Sequence, residues 1–572
     1  MKRLFLSLTI LGTVIVAWAE YQSVSQSAEV SLARFMPQGP LLFLEGKDFA
    51  GLLQAWSSSP EKQAWLGSDN YQVFSRSRLF LRLHDAQGEF AAAAGVPPNT
   101  HFVSEVAGKR TALAIYDIGK LEMLYITELP STRAMESGIW QQRSKFEPRE
   151  IAGQQFFVRS DSQSGRDVAF AISGDYLILA TREDLVAGAL AAIGKGRLAT
   201  LDHEAWFVDA VKAAKQPGDL RTVIRLEEVA KTPHFRSYWI QQNITAMRQY
   251  RSSVSDLYRS ASQYREDRVL LERNPEAGSA NQDAVGALGR VIPPETGFYA
   301  VQASPSPDDV IASLEQKVLM PKTGPVPASQ VAPSVNLEEG TVGSASNLEE
   351  HIDVPPATPR VEANGDESLK LLIRNNPPQA MLKLHRSEIA ADEVFVRLRS
   401  TLVLSAGNSW NEDAVRFALQ KVVSPAVTSS SIGTAWKTVG GGQEAYSEFG
   451  GLIPVAVAVR GSYLFVSNDP EGLAAALRRL QQKGSAPEPA LYIAGFNHQK
   501  ERQQFYKLAA LVDQANRNNN AAQERNPEFF SDNIGSLSKT LGQNLATETI
   551  EIRRTGGVES QTVRYEWAHS PR

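Results

Sequence analysis

Two stretches of this chain share one pattern of apolar and polar positions. Val168–Thr181 reads VAFAISGDYLILAT and Val455–Asn468 reads VAVAVRGSYLFVSN, with Val, Ala, Ala, Gly, Tyr and Leu in common and no gap. Apolar runs on either side of Ser173-Gly174-Asp175 and Arg460-Gly461-Ser462 predict a tight β-hairpin in each, because glycine supplies the positive φ that short turns need. An Ala/Leu-rich stretch follows each hairpin, EDLVAGALAAIGKG and PEGLAAALRRLQQKG. Its 3–4 spacing, Leu185, Ala189 and Ala192 in one and Leu473, Ala476 and Leu480 in the other, predicts a helix laid back on the sheet.

Further strands are expected at Leu41–Glu45, Thr111–Asp117 and Glu122–Leu129, and at DEVFVRLRS (392–400) and STLVLSAG (400–407). Strands mixed with helices but without regular βαβ alternation predict an α+β fold with mixed or antiparallel sheets. The longest helical pattern runs through Ile240, Asn243, Met247, Tyr250, Val254, Leu257, Ala261, Tyr264, Arg268 and Leu271, and predicts a helix of about 48 Å in the first half. A shorter, Asn-interrupted stretch, 500–524, is its expected counterpart.

The pentapeptide ERNPE, at Glu272–Glu276 and Glu524–Glu528, adds to the expectation of an internal duplication. Leu288-Gly289 with Leu541-Gly542, and Glu295-Thr296 with Glu548-Thr549, extend that match after a one-residue shift. The resulting division is a leader at 1–19, a spacer at 20–32, a first α+β module at 33–320, a linker at 321–367 and a second module at 368–568. The linker is rich in Pro, Gly, Ser and acidic residues and has no apolar period, which predicts a flexible tether.

Composition narrows the function classes. The 572 residues are 42% hydrophobic and 21% charged, the balance of a globular protein with a substantial core, and the formal net charge of −4 implies no bulk attraction to nucleic acid. There is no cysteine, so disulfides, thiolate metal sites and a cysteine nucleophile are excluded. At the N-terminus, Lys2 and Arg3 precede an apolar run from Leu4 to Ala19, and Ala17 and Ala19 stand at −3 and −1 before Glu20. That order predicts a secretory signal cleaved before Glu20. An uncleaved anchor is the alternative, giving membrane contact through the N-terminal segment, though the run is shorter than the about 20 residues a bilayer crossing needs. The expected location is the periplasm or cell envelope.

Motifs for catalysis are weak. Ser59–Lys62, Ser68–Asn70 and Lys322–Gly324 spell S-x-x-K, S-D-N and K-T-G, the signature elements of serine β-lactamases and penicillin-binding proteins. The first two stand too close together, and the third falls in the linker, so coincidence is the better reading. None of the eight histidines has another two to four residues away, and no phosphate-binding glycine loop is present, so no metal or cofactor is implied. On the expected long helix, Arg248, Arg251, Tyr258, Arg259 and Arg265 form a candidate interaction surface, set against the plainer reading of a solvated face with alternating charges.

The stretch ARFMPQGPLLFLEGKDFAGLLQAWSSSPEKQAWLGSDNY resembles a family of exported bacterial proteins of unknown function, and GDYLILATREDLVAGAL and GSYLFVSNDPEGLAAAL resemble that family's hairpin-plus-helix element. The resemblance implies export and duplication and transfers no catalytic residues. The expectation is a non-enzymatic binding or scaffolding protein with envelope-protein partners and no nucleic acid. A hydrolase of envelope material, with a site assembled from distant segments, is the alternative.

Overall fold

The computed structural model describes residues 30–59, 78–163, 165–194, 199–233, 247–260, 262–275, 281–314, 367–389, 396–427, 435–450, 454–482, 488–501 and 545–568, with short pieces at 62–63, 66–67, 71, 75–76 and 318–319. The leader, most of the spacer, the 321–366 stretch and the second ERNPE lie outside them.

Among the described residues there are twenty strands. The first ten are β1 (Leu42–Gly46), β2 (Thr111–Asp117), β3 (Glu122–Glu128), β4 (Glu147–Ile151), β5 (Gln154–Ser160), β6 (Asp167–Ser173), β7 (Tyr176–Ala180), β8 (Leu220–Ile224), β9 (Tyr250–Arg259) and β10 (Gln263–Glu272). The second ten are β11 (Phe298–Ala303), β12 (Pro378–Ile389), β13 (Val396–Ala406), β14 (Trp436–Val439), β15 (Tyr446–Phe449), β16 (Val455–Arg460), β17 (Tyr463–Ser467), β18 (Tyr492–Asn497), β19 (Leu545–Thr555) and β20 (Val558–Trp567).

Every pairing among them is antiparallel. The first ten lie side by side in the order 4-5-6-7-3-2-1-8-9-10. The second ten lie in the order 14-15-16-17-13-12-11-18-19-20, the same sequence with ten added to each number. β10 pairs with β20, from Gln263↔Glu566 to Leu271↔Val558, so the two sets form one continuous sheet. The fold is α+β, with helices on both sheet faces.

Alternation along the hairpin strands explains those two layers. Ala169, Ala171, Ile178 and Ala180 bury against Leu185, Val186, Ala189 and Leu190 of the Glu183–Ile193 helix. Their neighbours Val168, Phe170, Leu177 and Leu179 point the other way, to Phe102, Val106 and Ile139. In the second half, Ala456, Ala458 and Phe465 pack on Leu473, Ala476 and Leu477 of the Pro470–Gln481 helix. Val457, Leu464 and Val466 face Ile373, Val415 and Leu419. Strands buried on both faces read as nearly unbroken apolar runs, which made these hairpins visible in the sequence. Gly174 and Gly461 turn them, at φ 57° and 60°.

Several expectations need correction. Residues 250–272, expected within the long helix, form the β9–β10 hairpin. Its turn has its own chemistry: the Ser260 hydroxyl accepts from the Ser262 and Gln263 N–H groups at 3.3 and 3.1 Å. The two strand candidates at 392–400 and 400–407 merge into the single β13. The expected spacer includes packed residues, since Leu32 is fully buried and the Ser31 hydroxyl donates to Glu45 at 2.7 Å. The first set of strands ends at Glu272, and β11 already pairs with β12 and β18, so 281–314 belongs with the second half. The 321–366 stretch therefore falls between β11 and β12 in chain order, inside the second half rather than between halves. Chain order also separates the two ERNPE copies, because one follows β10 whereas the other precedes β19.

Candidate binding cleft

Register assigns each position of one half its counterpart in the other. Leu124 pairs with Ala180 where Thr401 pairs with Ser467, and Met123 pairs with Ile115 where Ser400 pairs with His385. One device is kept unchanged. The Thr181 hydroxyl accepts from Met123 N–H at 2.9 Å while Thr181 N–H donates to Met123 O at 3.1 Å. At the counterpart positions, Asn468 Oδ1 accepts from Ser400 N–H at 2.7 Å and Asn468 N–H donates to Ser400 O at 3.0 Å.

Around that device the chemistry changes. Where the first half has Ile115, Met123, Leu124 and Ala180, the second has His385, Ser400, Thr401 and Ser467, and the next residue along the strand is Tyr116, set in a register shift, in one and Arg386 in the other. Most of these polar groups pair with one another, as buried ones do. His385 Nδ1 lies 2.8 Å from Ser400 Oγ, and Thr401 Oγ1 lies 2.7 Å from Ser467 Oγ. Asp469 N–H donates to Ser467 Oγ at 2.8 Å. The Asp469 carboxylate takes a bidentate pair from Arg386, Nε to Oδ2 at 2.7 Å and Nη2 to Oδ1 at 2.6 Å, and Nη2 also reaches Glu471 at 2.9 Å. Hydrogen bonding to Asp469 raises the Arg386 pKa above its ordinary value, so the guanidinium stays charged.

Beside this network is a cleft of about 350 Å³, bounded by Pro293, Glu295 and Thr296 on one side and by Arg386, Ala475 and Arg478 on the other. In the first half the corresponding place is filled. Pro37 stands five residues before Leu42, as Pro293 stands five before Phe298, and Leu42 and Phe298 are matched by their pairing with Ile115 and His385. Tyr116 Oη donates to the Pro37 carbonyl at 2.8 Å, and Pro37 forms an antiparallel bridge with Thr200. The ring packs so closely on Gly188 that a Cβ there would lie 2.8 Å from Pro37 Cγ. The counterpart of Gly188 is Ala475, whose methyl occupies that space; Pro293 cannot approach as Pro37 does. A single methyl is thus the steric difference at this point between the plugged place and the open one.

A second cleft, of about 390 Å³, is lined by Asn281, Ser304, Asn376, Gln379 and neighbouring prolines, with no titratable side chain. Elsewhere Glu501 is buried beside Ser387, accepting its N–H at 3.1 Å and its hydroxyl. Burial raises the Glu501 pKa against the opposing effect of those hydrogen bonds. Gly297 leaves the room, since a Cβ there would fall 1.8 Å from a Glu501 carboxylate oxygen.

The residues expected to share one helical surface do not share one. Tyr258 and Arg265 are cross-strand partners, with the Arg265 guanidinium 4.1 Å from the Tyr258 ring centre. Arg259 pairs with Tyr264 on the opposite sheet face, its guanidinium 5.6 Å from that ring. Arg251 lies 3.5 Å from Asp209, and Arg248 is exposed in the turn before β9. Ala17, Ala19 and Glu20 lie outside the described residues, as do Ser68–Asn70 and Lys322–Gly324. The Ser59 hydroxyl accepts from Lys62 N–H at 3.1 Å and donates to Trp56 O at 2.9 Å, the bonding of a turn-capping serine. Among the described residues no group of three or more His, Asp or Glu gathers as a metal site would require. No helix among them is long and apolar enough to cross a membrane.

Sequence reasoning missed the cleft. The available signal was the divergence just after the matched hairpins, where Ala180-Thr181-Arg182 is answered by Ser467-Asn468-Asp469.

No protein-family model and no curated protein matches this chain. Among solved structures, crystal form I of TP0453 is 10% identical over 44% of this chain and 82% of that one, with a TM-score of 0.24. Crystal form IV is 9% identical over 43% and 83%, with a TM-score of 0.23. At such scores the likeness carries no argument about function.

Proposed function

We propose that this is an exported, non-enzymatic binding or scaffolding protein of the bacterial cell envelope, built from two copies of one unit, of which the second does the binding. The observation that carries the reading is the cleft at Arg386 and Ala475, open where the counterpart in the first half is plugged by Pro37. A concave site with a few convergent polar groups on a rigid sheet is the usual form of a ligand site, and about 350 Å³ falls in the range such sites occupy. The repeated strand order and the matched hairpins support the two-copy origin, and the N-terminal pattern supports export.

A hydrolase would need a reachable nucleophile. His385 lines the cleft and touches Ser400, but Ser400, the hydroxyl that would attack, is 1% exposed and does not line the cleft.

The test is affinity capture from gently solubilised envelopes of the host, comparing the native chain with Thr296→Trp, which fills the cleft from its rim. A stoichiometric ligand or partner retained by the native chain and lost by the variant is expected. Equal retention by both, or none by either, overturns the binding reading. Recovery of the chain from the cytoplasm with Met1–Ala19 still attached overturns export.

A further inference from the structure

The plug in the first half shows what the open cleft is shaped to take. Pro37 follows the one-turn helix Leu32–Phe35 through an extended Met36; there the chain bridges to Thr200, its carbonyl accepts from Tyr116 Oη, and Gly39 N–H donates to Glu204. It is a peptide segment whose proline packs on Gly188, midway along the Glu183–Ile193 helix. In the second half, Arg386 follows His385 as Tyr116 follows Ile115 and stands by Asp469 and Glu471 as Tyr116 stands by Arg182 and Asp184, with its side chain 39% exposed and lining the cleft. Its Nε and Nη2 are occupied by Asp469 and Glu471, while among the described residues Nη1 makes no hydrogen bond. A cleft-lining side chain therefore keeps a donor available near where a donor meets a peptide carbonyl in the first half.

We propose that the cleft binds an extended peptide segment of a partner protein, with a backbone carbonyl of that segment accepting from Arg386 Nη1. This rests on the binding reading above and names its ligand class. Asp469 fixes the guanidinium by its bidentate pair, so the donor is held in place before the peptide arrives, and little ordering entropy is left to lose there. The charge of the site adds a preference. Three carboxylates, Glu295, Asp469 and Glu471, outnumber Arg386 and Arg478, and Glu471 is 83% exposed at the rim. A segment with a basic side chain a few residues from its proline suits that balance, and the first half's own plug has Arg34 three residues before Pro37. Because the Ala475 methyl stands where Gly188 has none, the bound segment rides farther from the helix than Pro37 does.

The probe is a labelled synthetic peptide with the sequence of residues 34–40, Arg-Phe-Met-Pro-Gln-Gly-Pro, titrated into the full chain by fluorescence anisotropy. Saturable binding is expected, weakened at least tenfold by Arg386→Met and by Thr296→Trp. The second variant changes the rim alone, so it answers for the first should loss of Arg386 unsettle the fold around Asp469. A peptide with Ala at the position of Pro37 and Ser at that of Arg34 is expected to bind several-fold more weakly. Absence of saturable binding, or affinity unchanged in Thr296→Trp, overturns the peptide assignment. If envelope capture remains sensitive to Thr296→Trp while this peptide fails to bind, the peptide class falls and the binding reading stands.

Discussion

Thr181 and Asn468 hold the same pair of backbone hydrogen bonds at matching places in the two halves, one with a hydroxyl and the other with an amide. Asn468 does more, since its Nδ2 also donates to Val318 O at 3.2 Å. Asn468→Ala leaves the buried Ser400 N–H without its acceptor and is expected to cost about 1–3 kcal/mol. Asn468→Thr should recover part of that loss by restoring the first-half arrangement. Chemical denaturation of both variants, read at constant m-value, checks the order.

Gly188→Ala tests the explanation of the plug. The added Cβ would meet Pro37 Cγ at 2.8 Å, well inside van der Waals contact. We expect the segment around Pro37 to lift, with a loss of about 1–3 kcal/mol, as for other overpacked sites. Thermal unfolding measures the loss. Faster hydrogen exchange at Leu201 N–H, which donates to Met36 O at 2.9 Å, locates it. An unchanged melting temperature would remove the steric account of why one half is closed.

Arg221 and Asp256 form a buried ion pair under β8 and β9, with Nε–Oδ1 and Nη2–Oδ2 distances of 2.7 Å. Gly218 N–H adds a third bond to Asp256 at 3.0 Å. Arg221→Met strands a carboxylate that is 2% exposed and is expected to cost about 3–5 kcal/mol. The double variant Arg221→Met, Asp256→Leu removes both charges and should cost much less than the single one. Comparing their urea midpoints tests whether burial of an unpaired charge is the dominant effect.

Glu501 gives a dependence on pH. Its folded pKa is raised by burial, so the folded state holds a proton that the unfolded chain, with a carboxyl pKa of about 4.3, has released. This group's contribution to stability is therefore complete below about pH 4.3 and falls as pH rises through the folded pKa, levelling above it. Glu501→Gln should flatten that part of the stability–pH curve and leave the neutral-pH form at least as stable as the native one. A steeper fall in the variant would contradict the burial argument.

The hairpins and their helices were legible because they are buried on both faces, where unbroken apolar runs meet an obligatory glycine at Gly174 and Gly461. The β9–β10 hairpin was not. Its centre carries Ser252, Ser253, Ser255 and Asp256 on one strand and Arg265, Glu266, Asp267 and Arg268 on the other, so little apolar period remains. The few apolar residues of two strands joined by a short turn fell into a 3–4 spacing. ERNPE misled for a different reason, since five identical residues are a local match and strand order is not local. The cleft demanded still more, because Gly188 and Ala475 become comparable once pairing has fixed which residue answers which.

The β10–β20 junction makes the integrity of the chain itself a safeguard. Severed between its halves, the protein would present two ten-residue edges, each stripped of its antiparallel neighbour and able to template a strand from any other chain. Covalent linkage keeps the right neighbour at an effective concentration that a free fragment would meet at about millimolar levels. A nick after Glu272 is tolerable while the halves stay paired. A truncated product, by contrast, would be an adhesive one, and its removal would fall to the proteases of its compartment.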